Sequence, residues 1–190
     1  MRSRERAARD RTTTRTAAAC ATFPGEEVAA LSRDLAETLE DAVPELVVGI
    51  ARAGLFPAFV VAAALRRELC VIRISRRVDE EVTFEHPVWR VPLPSTITGR
   101  VVAVVDEIAD TGETLALVRH SAAEHGAARV VTATLVAHSW ASQQPDVVAI
   151  SSDELVVFPC DARILVGGRW VPHPEVEAAI DAHRQRREPV

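Results

Sequence analysis

An uninterrupted apolar run, Val101–Val105, leads directly into the acidic pair Asp106 and Glu107. A run without polar alternation is typical of a strand buried on both faces of a parallel sheet. Other apolar runs predict strands at 46–50, 69–74, 129–137 and 154–158. Apolar residues at helical spacing predict helices at 25–41, 57–67, 115–126 and 174–186. This alternation predicts an α/β fold with its ligand site at the carboxyl ends of the strands.

The length of 190 residues suits one domain, which we place at residues 23–190. Residues 1–22 carry six arginines against two acidic residues and have no apolar signal-peptide core. We interpret them as a mobile, arginine-rich tail. The net charge of −5 argues against a general polyanion-coating role, so nucleic acid is not the expected partner.

All 22 basic side chains are arginines, because the sequence contains no lysine. This excludes a lysine Schiff base and the lysine-bearing P-loop. The three cysteines are widely spaced and form no CxxC motif, which argues against disulfides and zinc and favours a reducing cytoplasm. The apolar runs are too short and interrupted to span a bilayer, so no membrane insertion is expected.

The segment that follows the buried strand has two chemically different halves. Asp106 and Glu107 can accept hydrogen bonds from a vicinal diol or hold a divalent cation. Residues 110–114 lie at the expected start of a helix, where free N–H groups, the helix dipole and two threonine hydroxyls favour a phosphate. A sugar phosphate satisfies both halves.

Residues 102–114 resemble the phosphoribosyl-pyrophosphate signature of the type I phosphoribosyltransferases, and residues 153–161 resemble the segment that covers the base in the bacterial and archaeal purine (hypoxanthine, xanthine-guanine) enzymes. The resemblance implies their fold, a central parallel sheet flanked by helices with a flexible loop and a small carboxyl-terminal hood, and implies Mg²⁺ as cofactor. Asp106 and Glu107 would bind the ribose hydroxyls directly or through Mg²⁺, and Asp110 would be a candidate proton-transfer group. The 5′-phosphate would be bound by Asp110, Thr111, Gly112, Glu113 and Thr114.

The same resemblance assigns a pyrophosphate site and a lid. The loop after the first sheet strand would bind pyrophosphate through Ala51, Arg52, Ala53 and Gly54, although many members have glycine where Ala53 stands. Residues 76–98 are polar, contain three prolines and would form the loop that closes over the reacting ribose. Ser75, Arg76 and Arg77 at its root would reach the pyrophosphate.

The hood, placed mainly at residues 138–170, would bind the base. Leu155 stands at the position often held by a stacking aromatic, Val156 would present backbone groups to the base edge, and Asp161 fits an acidic position of the family. His138 replaces the lysine that usually contacts a 6-oxo group. We assign Trp140 to the hood or to packing, and treat the other histidines, His86 among them, as structural.

These observations predict an enzyme that transfers phosphoribose from phosphoribosyl pyrophosphate to a nucleobase, with a 6-oxopurine as the preferred acceptor. The resemblance also leads us to expect a homodimer. Two alternatives stay open. One is a regulator of the same fold that senses a nucleotide, and the other is a transferase for a non-purine acceptor, which the altered hood would support.

Overall fold

The structure is a computed structural model that describes residues 20–78 and 81–187. In this part of the chain there are four α-helices: α1 (Gly25–Leu39), α2 (Leu55–Leu65), α3 (Glu113–Glu124) and α4 (Pro174–Arg187). The same residues form twelve strands: β1 (Cys20–Thr22), β2 (Leu46–Ala51), β3 (Glu68–Ser75), β4 (Arg77–Val78), β5 (Glu81–Val82), β6 (Val88–Val91), β7 (Val101–Ala109), β8 (Arg129–Ala137), β9 (Val147–Ser151), β10 (Leu155–Val157), β11 (Arg163–Val166) and β12 (Arg169–Pro172).

Six of these strands form a central sheet in the order β6-β3-β2-β7-β8-β9. All neighbours in it are parallel except β6, which pairs antiparallel with β3 at the edge. β7 lies between β2 and β8, as expected for the most apolar strand. The predicted α/β fold with a central, mostly parallel sheet is confirmed.

β7 is covered on both faces because its side chains alternate between two apolar clusters. Ala103 and Val105 pack with α1 and α2, whereas Val102 and Val104 pack with α3 and with Ile97 on the opposite face. All four β7 residues are fully buried. This alternation also decides where the acidic residues at the end of the strand point.

Several segments differ from the sequence-based expectation. Residues 76–98, expected as a loop, contain β4, β5 and β6, so the segment is partly anchored to the main sheet. Residues 147–151, expected within the hood, instead form the edge strand β9. The β11–β12 hairpin was not predicted, because its residues lack a clear alternation.

The boundary of the amino-terminal tail also differs. Residues 20–22, which the prediction placed in the tail, form β1 and pair in parallel with β10 of the hood. Residues 1–19 of the predicted tail lie outside the described residues. The hood is therefore bound to a strand from the start of the chain.

No helix in the described ranges is both long enough and apolar enough to cross a bilayer.

Candidate active site

A cavity of about 270 Å³ opens at the carboxyl end of β7. Its walls come from the end of β7, the start of α3 and the segment before β6. The lining includes Asp106, the whole of residues 108–115, and from the lid segment Arg76, Glu85, His86 and Pro87. The five residues predicted to hold a 5′-phosphate thus share one cavity with the first acid of the pair.

The turn that leads into α3 is shaped by Gly112. This residue has a φ of 82° and immediately precedes the helix. A Cβ at Gly112 would lie 2.0 Å from the carbonyl oxygen of Gln143, so the segment after β8 packs directly on the turn. Because the first N–H groups of a helix lack intrahelical partners, this end of α3 offers donors and a favourable dipole to an anion.

Asp106 and Glu107 point to opposite faces of β7. Asp106 lines the cavity described above, whereas Glu107 lines a second, mainly apolar pocket of about 80 Å³. That second pocket lies between α1, α2 and the hood, with Ala53, Phe56 and Cys160 among its walls. Consecutive strand residues alternate between faces, which is why two adjacent acids do not share one cavity.

Both carboxyls are held in environments that favour the neutral form. Burial raises the pKa of Asp106 to about 7, although the N–H of Glu107, which donates to Oδ1 over 2.9 Å, acts in the opposite direction. Burial also raises the pKa of Glu107 to about 8, and the charges of Asp161 and then Asp106 add to the effect. A cation near either carboxyl would favour its ionised form.

The loop after β2 approaches Asp106 closely. A Cβ at Gly54 would lie 2.7 Å from Oδ1 of Asp106 and 2.7 Å from the carbonyl oxygen of Ile50. Ala53 lines the Glu107 pocket, and the peptide bond between Ala51 and Arg52 is cis. The structure therefore brings the predicted pyrophosphate loop beside both acids, while Arg52 is exposed.

The two arginines at the root of the lid segment differ in position. Arg76 lines the larger cavity. Arg77 instead donates from Nη1 to Oε1 of Glu175 in α4, over 2.5 Å. The hydrogen bond from the N–H of Arg77 to Oγ of Ser75, 2.9 Å long, fixes the turn between them. Only Arg76 of this pair is placed toward the phosphate loop.

The residues predicted to bind the base lie around the end of β8 and in the hood. His138 is buried, and its Nδ1 lies within hydrogen-bond distance of the Ser152 carbonyl oxygen. Leu155 and Val156 lie in β10, which pairs with β1. Asp161 is close enough to Glu107 for its charge to act on that carboxyl. Hood and acidic pair are thus electrostatically linked.

Two residues lie closer to the candidate site than the sequence suggested. Trp140, assigned to the hood or to packing, donates its indole N–H to Oδ1 of Asp110 over 2.9 Å and stacks on His138. His86, expected to be structural, lines the larger cavity. No spacing rule identifies either residue, because each reaches the site from a segment with little periodicity.

Comparisons with known proteins identify a family for this chain. The family described as "phosphoribosyl transferase domain" matches residues 25–164. Comparison with curated protein sequences finds no significant match.

Solved structures give further similarities. The purine phosphoribosyltransferase of Pyrococcus horikoshii is 27% identical, covers 78% of this chain and 99% of its own, and superposes with a TM-score of 0.68. A Neisseria gonorrhoeae protein crystallised with bound ppGpp (18% identity, 87% of this chain and 94% of its own, TM-score 0.65) shares the fold. The xanthine-guanine-hypoxanthine phosphoribosyltransferase of Helicobacter pylori also shares the fold. It is 20% identical, covers 73% of this chain and 92% of its own, and superposes with a TM-score of 0.63.

The family match covers well over half of the chain and includes residues 51–54, both acids and residues 110–114. The sheet order and flanking helices are those of the type I phosphoribosyltransferase fold. This protein belongs to the phosphoribosyltransferase family and is a transferase.

Proposed function

We propose that this protein transfers 5-phosphoribose from phosphoribosyl pyrophosphate to a purine base, a 6-oxopurine first, and releases pyrophosphate. The observation that carries the proposal is the single cavity that contains Asp106, residues 110–114 and Arg76. A carboxylate, a helix amino terminus and an arginine in one cavity suit a molecule with a diol at one end and phosphates at the other.

The reaction would join a ring nitrogen of the base to C1 of the ribose while the bond from C1 to pyrophosphate breaks. Positive charge develops on the ribose ring, and the carboxylate of Asp106 would stabilise it. Asp110 would bind or exchange a proton at the base. Arg76 would stabilise the departing pyrophosphate, since a hydrogen bond to a charged group contributes about 1.5–3 kcal/mol.

The residues present fit Mg²⁺, which the family resemblance implies. Mg²⁺ is usually held by one or two carboxylates together with substrate phosphates and waters. Asp106 would supply a carboxylate in the larger cavity, whereas Glu107, expected from the resemblance to hold the same ion, lines the other pocket. No set of three or more His, Cys, Asp or Glu suited to a metal occurs in the described part of the chain. When bound, the ion would neutralise charge on the pyrophosphate.

A purine acceptor is supported by the P. horikoshii structure, which is titled a purine phosphoribosyltransferase. His138 bears on the choice of purine. Because the Ser152 carbonyl can only accept, Nδ1 of His138 carries a hydrogen, and Nε2 can donate to a 6-oxo group only in the imidazolium form. The neutral form would present an acceptor, which suits a 6-amino group.

The proposal also covers the cellular location and the oligomeric state of the protein. We place the protein in the cytoplasm, in accordance with the free thiols of Cys70 and Cys160. We propose a homodimer, supported by Phe56 and Phe59, which are exposed side by side on α2. Light scattering would show the dimer mass, and a monomer at micromolar concentration would exclude it.

The test is pyrophosphate release from phosphoribosyl pyrophosphate and Mg²⁺ with hypoxanthine, guanine, xanthine, adenine and a set of pyrimidines. Release with the 6-oxopurines supports the full proposal, whereas release only with adenine or a pyrimidine replaces the acceptor. Asp106→Ala should weaken donor binding, and Asp110→Asn should lower turnover more than donor affinity. Donor binding without release on any base would favour the nucleotide-sensing alternative.

A further inference from the structure

Trp140 connects two parts of the site that the sequence treats separately. Its indole N–H donates to Oδ1 of Asp110 over 2.9 Å. Its ring lies on the imidazole of His138, with centroids 4.2 Å apart and planes inclined by 17°. One side chain therefore contacts the candidate proton-transfer residue at the phosphate loop and the candidate base-binding residue at the end of β8.

The position of Trp140 is set by the backbone around it. The N–H of His138 donates to the Ala109 carbonyl over 3.1 Å, and Oγ of Ser142 donates to the Thr111 carbonyl over 3.2 Å. The side-chain amide of Gln144 donates to the carbonyls of His138 and Ala141, each over 3.0 Å. These bonds hold residues 138–144 against the phosphate loop, so the indole reaches Asp110 from a fixed support.

The chemistry of the contact is directional. An indole N–H can only donate, so Oδ1 of Asp110 is the acceptor in this contact. It also engages one oxygen, Oδ1, and leaves Oδ2 for another partner. A hydrogen bond to a charged acceptor is stronger than one between neutral groups and fixes the carboxylate in one orientation.

We propose that Trp140 is the positioning residue for Asp110: it holds the carboxylate with one oxygen directed to the acceptor base and acts on the reaction through Asp110. This inference rests on the proposed function. The Trp140 side chain is 55% exposed, so packing contributes little to this role. Among the described residues, the bond from Trp140 is the hydrogen bond found for the Asp110 side chain, and it orients the carboxylate.

The first test does not depend on turnover. The chain has three tryptophans, and the indole resonance of Trp140 in a ¹H–¹⁵N spectrum is assigned by its loss in Trp140→Phe. Asp110→Ala should shift this resonance and increase its exchange with water, while the resonances of Trp89 and Trp170 stay in place. An unchanged Trp140 resonance overturns the proposal, whether or not the protein is active.

The second test is a double-mutant cycle on phosphoribosyl transfer. Trp140→Phe keeps a ring on His138 and removes only the N–H, so kcat should fall about 10-fold, as expected for loss of one hydrogen bond to a charged group, with KM for the donor within about twofold. Asp110→Ala combined with Trp140→Phe should be no slower than Asp110→Ala alone. Trp170→Phe is the matched control, because Trp170 is similarly exposed in the β11–β12 hairpin and accepts the hydrogen bond from Arg163 through its backbone carbonyl, which the substitution keeps.

The outcomes separate the two proposals. A shifted indole resonance and losses of kcat that are not additive support the positioning role. If the losses of kcat in the two single variants multiply in the double variant, Trp140 acts on the base directly and the positioning role is overturned. An unaltered melting temperature in all variants excludes a folding effect. If the wild-type protein releases no pyrophosphate with any base, the proposed function and the positioning role both fail, even where the indole shift establishes the contact.

Discussion

Gly54 and Asp106 touch across the carboxyl ends of β2 and β7, since a Cβ at Gly54 would lie 2.7 Å from Oδ1 and 2.8 Å from Cα of Asp106. Gly54 has a φ of −65°, which any residue adopts. Glycine is therefore required here by the lack of room for a Cβ, not by the backbone conformation. We expect Gly54→Ala to displace Asp106, destabilise the fold by about 1–3 kcal/mol and lower donor affinity. Urea unfolding and titration with phosphoribosyl pyrophosphate measure the two effects.

The control for this substitution is Gly25→Ala. Nothing lies within 4 Å of a Cβ at Gly25, at the start of α1, so this variant should bind the donor as wild type does. If Gly54→Ala and Gly25→Ala bind the donor equally well, the contact between the pyrophosphate loop and Asp106 has no role in binding.

The raised pKa of Asp106 predicts a pH-dependent stability. Between its ordinary value of 3.8 and about 7 the folded state holds a proton that the unfolded state has lost. Stability from this group is therefore complete below about pH 4 and declines as the pH rises through 7. Asp106→Asn should be more stable than wild type at pH 8, by about 2–4 kcal/mol, and should lose this advantage near pH 4.

The measurement is the free energy of unfolding of both proteins from pH 4 to pH 8. Asp153→Asn is a suitable comparison, because hydrogen bonds from Ser139 lower the pKa of Asp153 and the sign is reversed. A stability difference for Asp106→Asn that does not change with pH contradicts the burial of this carboxyl.

Arg76 and Arg77 should differ in donor binding even though they are adjacent. Arg76 lines the cavity, so Arg76→Gln should raise the KM for phosphoribosyl pyrophosphate about 10-fold or more. Arg77 pairs with Glu175 at a partly exposed position, so Arg77→Gln should change KM less than about threefold and stability by at most about 1 kcal/mol. Initial-rate kinetics on the two variants decide this, and a reversed order would place Arg77 at the pyrophosphate.

Thr134 gives a prediction of increased stability. It is fully buried beside Asp106 in the β7–β8 register, and within the described residues its Oγ1 is the buried side-chain atom without a hydrogen-bond partner. Thr134→Val keeps the shape and removes the unsatisfied hydroxyl, so we expect a gain of about 1 kcal/mol.

Thr132→Val is the matched comparison two residues earlier on the same strand. Its hydroxyl contacts both Arg119 and Asp146, so the same substitution should destabilise the protein. Thermal and urea unfolding of the two variants should shift in opposite directions. If both variants shift the same way, the hydroxyl of Thr134 has a partner in solution.

Much of this architecture could be read from local pattern. The doubly buried run at 101–105 predicted a central parallel strand, and the Thr/Gly turn after the acidic pair predicted the start of a helix; β7 and α3 lie at those positions. These features depend on residues next to each other in the chain, where periodicity and turn chemistry act directly. The roles assigned to the individual site residues remain predictions.

Tertiary structure decided the rest. The pairing of β3 with β6 anchors the lid segment to the main sheet, and the pairing of β1 with β10 attaches residues 20–22 to the hood. Alternation along β7 sends Asp106 and Glu107 to different cavities, and the packing of residues 138–144 on the phosphate loop brings Trp140 to Asp110. Contacts between segments far apart in the chain depend on how the strands pair and pack, and no local pattern of residues encodes that.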